Sequence, residues 1–393
     1  MSQSFQGDIT NNVVELNLQA SPTNIGTPTV AYDGTNLGEI AVQVMGDVDS
    51  SSGFQSDATL KGLVIGTSCT NIGSNAFEYC STLTGSLTIP DSVTNIGVRA
   101  FLDCSGLTGG LIIPDSVGSL GPQVFEGCSG LNGSLYISRN ANLTSLPNLI
   151  FTGCGGLTGA LEIPSNITFI GNNVFNGCSS FTSLILHDDI TSIGLYAFLN
   201  CSNISGTLSL PANLTALLAD AFSGCSSLTG SITMPNGLTD LGARAFRNCT
   251  GLNGTLNLNN LITIGAGAFE FCQFTGNLNI PDSVTTIGTF CFRNNNFTSV
   301  TIGSGLAAIP NGLLYLCASM TGTLVLPATV SSVGNNAFNG CAFTRIEYYR
   351  TSPPAQATSV FAGGSNPTEI HVPASSSWVA GSTWNGLTVI KDL

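Results

Sequence analysis

Thirteen cysteines and two histidines are the side chains best suited to hold a metal, attack a substrate or carry a proton in this chain of 393 residues. Their spacing argues against each use. No two cysteines form a CxxC pair, the usual opening of a zinc site. Eleven of them fall on one ladder: Cys80, Cys104, Cys128, Cys154, Cys178, Cys201, Cys225, Cys249, Cys272, Cys317 and Cys341. An odd total on such a ladder reads as free buried thiols acting as small core residues, not as a disulfide framework. His187 precedes Asp188 and Asp189 in what reads as a solvated turn, and His371 reads as an outward residue of the last strand. Neither gathers a ligand set. No phosphate-binding glycine loop and no nucleophile motif is present. The expectation is a protein that is not an enzyme, with no metal and no cofactor.

Charge narrows the partners. Charged residues are 8% of the chain, the net charge is −13, and Lys61 and Lys391 are its lysines. A surface this poor in cations cannot neutralise phosphates, so neither nucleic acid nor an anionic membrane surface is expected as a partner. No apolar run approaches the roughly 20 residues of a membrane-spanning helix, and membrane insertion is not expected. Met1 to Asp8 has neither the basic nor the apolar stretch of a secretion signal, so none is expected.

The elements that position these residues follow from one internal repeat. Leu87 to Cys104 reads LTIPDSVTNIGVRAFLDC, and Leu111 to Cys128 reads LIIPDSVGSLGPQVFEGC. A phenylalanine column (Phe77, Phe101, Phe125, Phe151 and onward to Phe361, with Leu314 standing in once) marks the frame at steps of 22 to 26 residues. Triplets such as Leu87/Ile89 and Leu278/Ile280 alternate with period two and read as short strands with one face buried. Pro90, Pro114 and their equivalents end the ladder, because proline has no N–H to donate. Val93 and Ile96 return to the core, and Gly97 or Gly121 permits a tight bend. The F-x-x-C-x-x-L segment has period three and reads as one or two turns of helix. A glycine such as Gly85 or Gly109 then leads into the next strand. It is missing from Phe181–Leu184, Phe297–Val300 and Phe343–Ile346, which places it in a one-residue bulge. Where the cysteine column breaks, Asn295 takes its place.

These columns predict a β-dominated α/β repeat solenoid. It is a right-handed array of about 12–13 coils, with parallel strands on one face and short helical turns on the other.

Residues 89–109 (IPDSVTNIGVRAFLDCSGLTG) and 113–133 (IPDSVGSLGPQVFEGCSGLNG) resemble BspA-like leucine-rich repeats, in register from about residue 60 to the end. Ser352-Pro353-Pro354, Phe361, Glu369 to Pro373, Trp378, Trp384 and Ile390 are similar to that family's terminal coil. The resemblance implies a leucine-rich-repeat array and a surface-exposed protein that binds a ligand or host. It transfers no catalytic residue, because the family shares none.

Three segments are expected: 1–58 as a β-rich cap or attachment segment, 59–343 as the solenoid, and 344–393 as a terminal coil and cap. In the first, Val14/Leu16/Leu18 alternate like a strand, Val30–Gly34 and Glu39–Val44 flank an Asp33-Gly34 turn signal that suggests a hairpin, and 46–58 reads as a linker. Most outward strand residues are small or polar. Ile112, Tyr136, Glu162 and Ile185 break that rule on successive coils and form the candidate ligand-binding patch. Two settings fit a displayed repeat surface. The leading expectation is a phage virion component (decoration, fibre or host-recognition protein) at the virion surface, with virion partners through 1–58 and a host surface protein or glycan on the solenoid. The other is a bacterial or protozoan cell-surface adhesin. A homo-oligomer is compatible with both.

Overall fold

A computed structural model describes residues 13–14, 29–31, 40–44, 46–52, 54–58, 60–354, 357–363 and 367–393. The fold is a parallel β-solenoid of about 14 turns. It divides into two compact units, 1–187 and 188–393.

In the first unit, strand Leu111–Ile112 pairs in parallel with Leu135–Tyr136, and Gly159–Glu162 with Phe181–Ile185. A second ladder of two-residue strands joins Asn71–Ile72, Asn95–Ile96 and Ser119–Leu120. In the second unit, Ile232–Thr233, Leu256–Asn257, Asn277–Ile280 and Ser299–Ile302 form one parallel sheet. The chain ends on a five-stranded sheet whose last pair, Thr383–Trp384 and Leu387–Lys391, is antiparallel. That reversal stops the parallel ladder.

The proline column does more than end strands. Pro90 accepts the Val93 N–H at 3.0 Å and Pro281 accepts that of Val284 at 3.0 Å, so each proline opens a turn that returns an apolar side chain to the core. The glycine after the second core residue is set by crowding, not by bending. A Cβ on Gly97 would stand 2.5 Å from the Ser74 nitrogen of the preceding coil. The irregularity expected beside the pre-strand glycine lies in the coil that lacks it. Gly159 pairs with Phe181 and Ala160 with Ser183, so the ladder skips Thr182; Gly322 and Thr323 skip Thr344 in the same way.

The helical turns expected at F-x-x-C are not formed. Among the described residues the helix is a 3₁₀ segment, Ser50–Ser52. The reason is backbone hand. Each coil places two left-handed residues four apart around its core phenylalanine: Asn75 (φ 58°) and Tyr79 (φ 63°), then Arg99 (φ 57°) and Asp103 (φ 56°). Isolated i→i+3 bonds survive, as from Cys80 N–H to Phe77 O at 3.2 Å. A left-handed residue prevents them from running on into a helix. The freed N–H groups turn to the next coil instead: Arg99, Phe101 and Asp103 donate to Pro122, Val124 and Glu126 at 3.0, 2.9 and 2.7 Å.

The core is a column of stacked rings. Phe77, Phe101, Phe125, Phe151 and Phe175 stack at 5.2 to 5.9 Å in the first unit. Phe198, Phe222, Phe246, Phe269 and Phe292 do so at 5.0 to 5.7 Å in the second. All thirteen cysteines are buried and free. Beyond filling space, the ladder thiols donate: Cys104 Sγ reaches Phe77 O at 3.0 Å and Cys249 Sγ reaches Phe222 O at 3.1 Å. Asn295 makes the same bond with a stronger donor, Nδ2 to Phe269 O at 2.8 Å.

At the front, Thr29–Ala31 and Ile40–Val44 pair antiparallel as the hairpin pattern predicts, and Val13–Val14 adds to the edge. Leu16, Leu18 and the Asp33-Gly34 turn lie outside the described residues. Ile40–Val44 pairs in parallel with Leu60–Ile65. The expected linker carries a coil's contacts. Phe54 stacks on Phe77 at 5.6 Å, Val48 bridges Ile72, and the Asp47 carboxylate accepts the N–H groups of Thr70 and Asn71 at 2.8 and 2.7 Å. At the other end Tyr348, Phe361, Trp378 and Trp384 make an aromatic cluster with centroids 5.9 to 6.1 Å apart.

Candidate functional site

The outward column of the first unit is set by strand alternation: while Leu111, Leu135 and Leu161 point inward, Ile112, Tyr136 and Glu162 point out. Ile112 is 62% exposed, Ile185 52% and Tyr136 37%. Tyr136 is in register beside Ile112, and Glu162 beside Ile185. The structure therefore brings the four expected residues together as two neighbouring pairs.

Two further residues complete the patch. Arg139 lies over the Tyr136 ring, 5.8 Å from its centroid, and pairs with Glu162 at 2.9 Å, which joins the two halves. Asp115 accepts the Tyr136 hydroxyl at 3.0 Å and the Arg139 N–H at 2.7 Å. Desolvation, then the hydrogen bond to Asp115, raises the Tyr136 phenol above its ordinary pKa. Both members of the Arg139–Glu162 pair are more than half exposed, so the pair orients side chains more than it stabilises the fold. Sequence reasoning missed Arg139 and Asp115, although a signal was present. Ser138-Arg139 stands where sister coils carry proline and aspartate, as in Pro90-Asp91.

His371 lies on the outward face of its strand, opposite the core residues Ile370 and Val372, but is covered. It is 8% exposed, because Leu387–Lys391 adds one more strand beside its own. Its Nδ1 meets Asp392 at 2.9 Å and its Nε2 meets Arg345 at 3.0 Å. Among the described residues no three His, Cys, Asp or Glu side chains are placed to hold a metal. None of their helices is long and apolar enough to cross a membrane. Two grooves on the second unit, of about 460 and 450 Å³, are lined by residues such as Ser209, Thr233, Asn236, Asn257 and Asn279, with no titratable side chain among them. Neither supplies the paired acid and base that proton transfer needs.

The model of the BspA type leucine-rich repeat region matches residues 3–132, 48–179, 132–253 and 253–363. The chain belongs to the BspA-type leucine-rich-repeat family. This accounts for the coil length and for the repeated phenylalanine and cysteine columns. Solved structures are similar to the chain. A leucine-rich repeat protein from Bacteroides ovatus is 22% identical, with 88% of this chain and 94% of that one covered and a TM-score of 0.52. A leucine rich cell surface protein from Faecalibacterium prausnitzii is 20% identical over 95% and 96% of the two chains, with a TM-score of 0.47. Among curated proteins none matches. At 22% identity the Bacteroides ovatus structure speaks for the leucine-rich-repeat fold and not for a shared ligand.

Proposed function

We propose that this BspA-type protein is a non-catalytic, adhesin-like binding protein of a cell surface, and that the Ile112–Tyr136–Glu162–Ile185 patch contacts a protein partner. The observation that carries this reading is the patch itself. Two isoleucines more than half exposed flank a tyrosine whose ring and hydroxyl are held by Arg139 and Asp115. Exposed apolar groups around a fixed aromatic are the make-up of interface hot spots. Between the two settings weighed from sequence, family membership supports a cell surface over a virion. Attachment to a larger assembly through 1–58 is a further part of the proposal.

The test is binding of the purified chain to immobilised extracellular-matrix and host-cell surface proteins, compared with a Tyr136→Ala, Ile112→Asp double variant. A partner whose binding falls at least about tenfold in the variant supports the patch, in line with the loss of one hot-spot side chain. Unchanged binding would move the contact elsewhere on the coils.

A further inference from the structure

A second constellation lies on the turn side of unit 188–393 and has a different chemistry. The residue that follows the core phenylalanine position is Arg247, Glu270, Arg293 and Tyr315 on four successive coils. Glu270 is nearly buried, and both its oxygens are taken, Oε2 by Arg247 Nε at 2.9 Å and Oε1 by Arg293 Nη1 at 3.1 Å. The guanidinium carbon of Arg293 lies 4.9 Å from the ring centre of Phe271, 5.1 Å from Tyr315 and 5.7 Å from Phe290. Arg247 approaches Phe271 from another coil at 5.9 Å.

Two observations set this group apart from ordinary packing. First, Phe271 and Phe290 have φ of 59° and 56°; other coils hold an aromatic at such a position singly, as Tyr79 or Tyr196, whereas here two from adjacent coils meet around one guanidinium. A bulky aromatic in the left-handed region is strained, and such strain gathers at functional sites. Secondly, the charges do not cancel. Two guanidiniums share one carboxylate, giving a local +1 on a chain of net charge −13. Among the described residues nothing accepts from the Arg247 terminal nitrogens, and Arg293 Nε is buried without a partner.

We infer that this cluster binds a carboxylate-bearing saccharide, one uronic acid unit of an acidic polysaccharide at a time. The inference goes beyond the proposed protein contact and stands on other residues. A guanidinium fork matches a carboxylate and leaves specificity in its geometry. The surplus of one charge suits a single carboxylate per unit. The part-exposed rings of Phe271, Phe290 and Tyr315 form an apolar border, Phe290 and Tyr315 meeting edge to face at 66°. A pyranose covers such a border with its C–H face, whereas the flexible carboxylate side chain of an acidic peptide leaves it bare.

Calorimetric titration of the full chain with oligomers of galacturonate, glucuronate and mannuronate tests this, beside a neutral galactose trimer and an acidic tripeptide. Binding of at least one uronate oligomer, with neither control bound, is expected. Arg247→Gln should weaken it about tenfold or more, as for one charge-assisted hydrogen bond. Phe271→Asn should weaken it similarly while leaving thermal unfolding unchanged or higher, because asparagine tolerates the left-handed backbone. No binding by any of the three uronates, equal binding of the galactose trimer or the tripeptide, or unchanged affinity in both variants would overturn the inference. Tyr136→Ala should leave this binding intact.

Discussion

Replacing Phe222 by alanine probes the feature that holds the coils together. The ring is fully buried and stacked on both faces, 5.0 Å from Phe198 and 5.5 Å from Phe246. Roughly 150 Å² of ring at about 25 cal/mol per Å² corresponds to about 4 kcal/mol. Each lost stack adds on the order of 1 kcal/mol. Partial collapse of the cavity offsets some of this, so the expected cost is about 4–5 kcal/mol, the upper part of the usual range for such changes. The loss should reach the adjoining coils. Phe198 N–H donates to Ala221 O and Phe222 N–H to Ala245 O, both at 2.8 Å, while Cys249 Sγ caps Phe222 O. Urea unfolding followed by circular dichroism measures the first effect, and hydrogen exchange by mass spectrometry the second. Protection should fall around 198–201 and 246–249 and persist around 338–341. A cost below about 1 kcal/mol would refute the stacking argument. Equal loss of protection along the whole chain would refute the nearest-neighbour argument.

Four other perturbations follow from the same geometry. Thiol reagents should find few accessible groups in the native protein and thirteen after denaturation; a disulfide in mass mapping would contradict the buried free thiols. Burial pushes Cys69 and Cys80 up from 9.0 to about 11, and Cys154, Cys225 and Cys317 to about 12. Folded pKa values raised in this way favour the native state at low pH, so the urea midpoint should hold below pH 8.5 and fall as pH climbs through 9 towards 12. A midpoint still flat at pH 10.5 would rule that out. Asn295→Cys should cost less than about 1 kcal/mol, but Asn295→Ala about 1–3, since it takes the amide donor from Phe269 O; equal unfolding midpoints would sink the capping role. A chain beginning at Gly46 should unfold at a higher temperature than one beginning at Asp57, which lacks Val48 and Phe54. If 1–58 is an attachment segment, both should fail to assemble while keeping any ligand, and normal assembly of either would exclude that role.

The solenoid was readable because its core columns recur on every coil, and a single phenylalanine or leucine error is corrected by its neighbours. The helical turns were misread because period three is shared by helices and by consecutive turns. Deciding between them requires the sign of φ at positions such as Asn75 and Tyr79, which side-chain pattern does not encode. Gly97 looked like a bend residue for a similar reason, since the approach of Ser74 comes from the adjacent coil. The cover over His371 was missed because Leu387–Lys391 falls outside the repeat frame. In the candidate patch, Ile112, Tyr136, Glu162 and Ile185 were found by alternation alone. Arg139 and Asp115 reach it from turns, where the strand period gives no guidance.

The thiol ladder also bears on how such a chain changes length. The ladder cysteines serve the carbonyl of the coil before their own, so no coil is self-sufficient, yet most junctions present the same thiol to the same carbonyl, and Asn295 supplies an amide at one of them. Removing residues from one phenylalanine to the next, say Phe222 to Ala245, would bring Phe198 beneath the ring and thiol of Phe246 and Cys249. The lost hydrogen bond would be rebuilt between new partners. Recombination between misaligned repeats can therefore cut anywhere in the frame and still join compatible coils. Growth and shrinkage by whole coils would leave the junctions sound and alter only what the outward positions display.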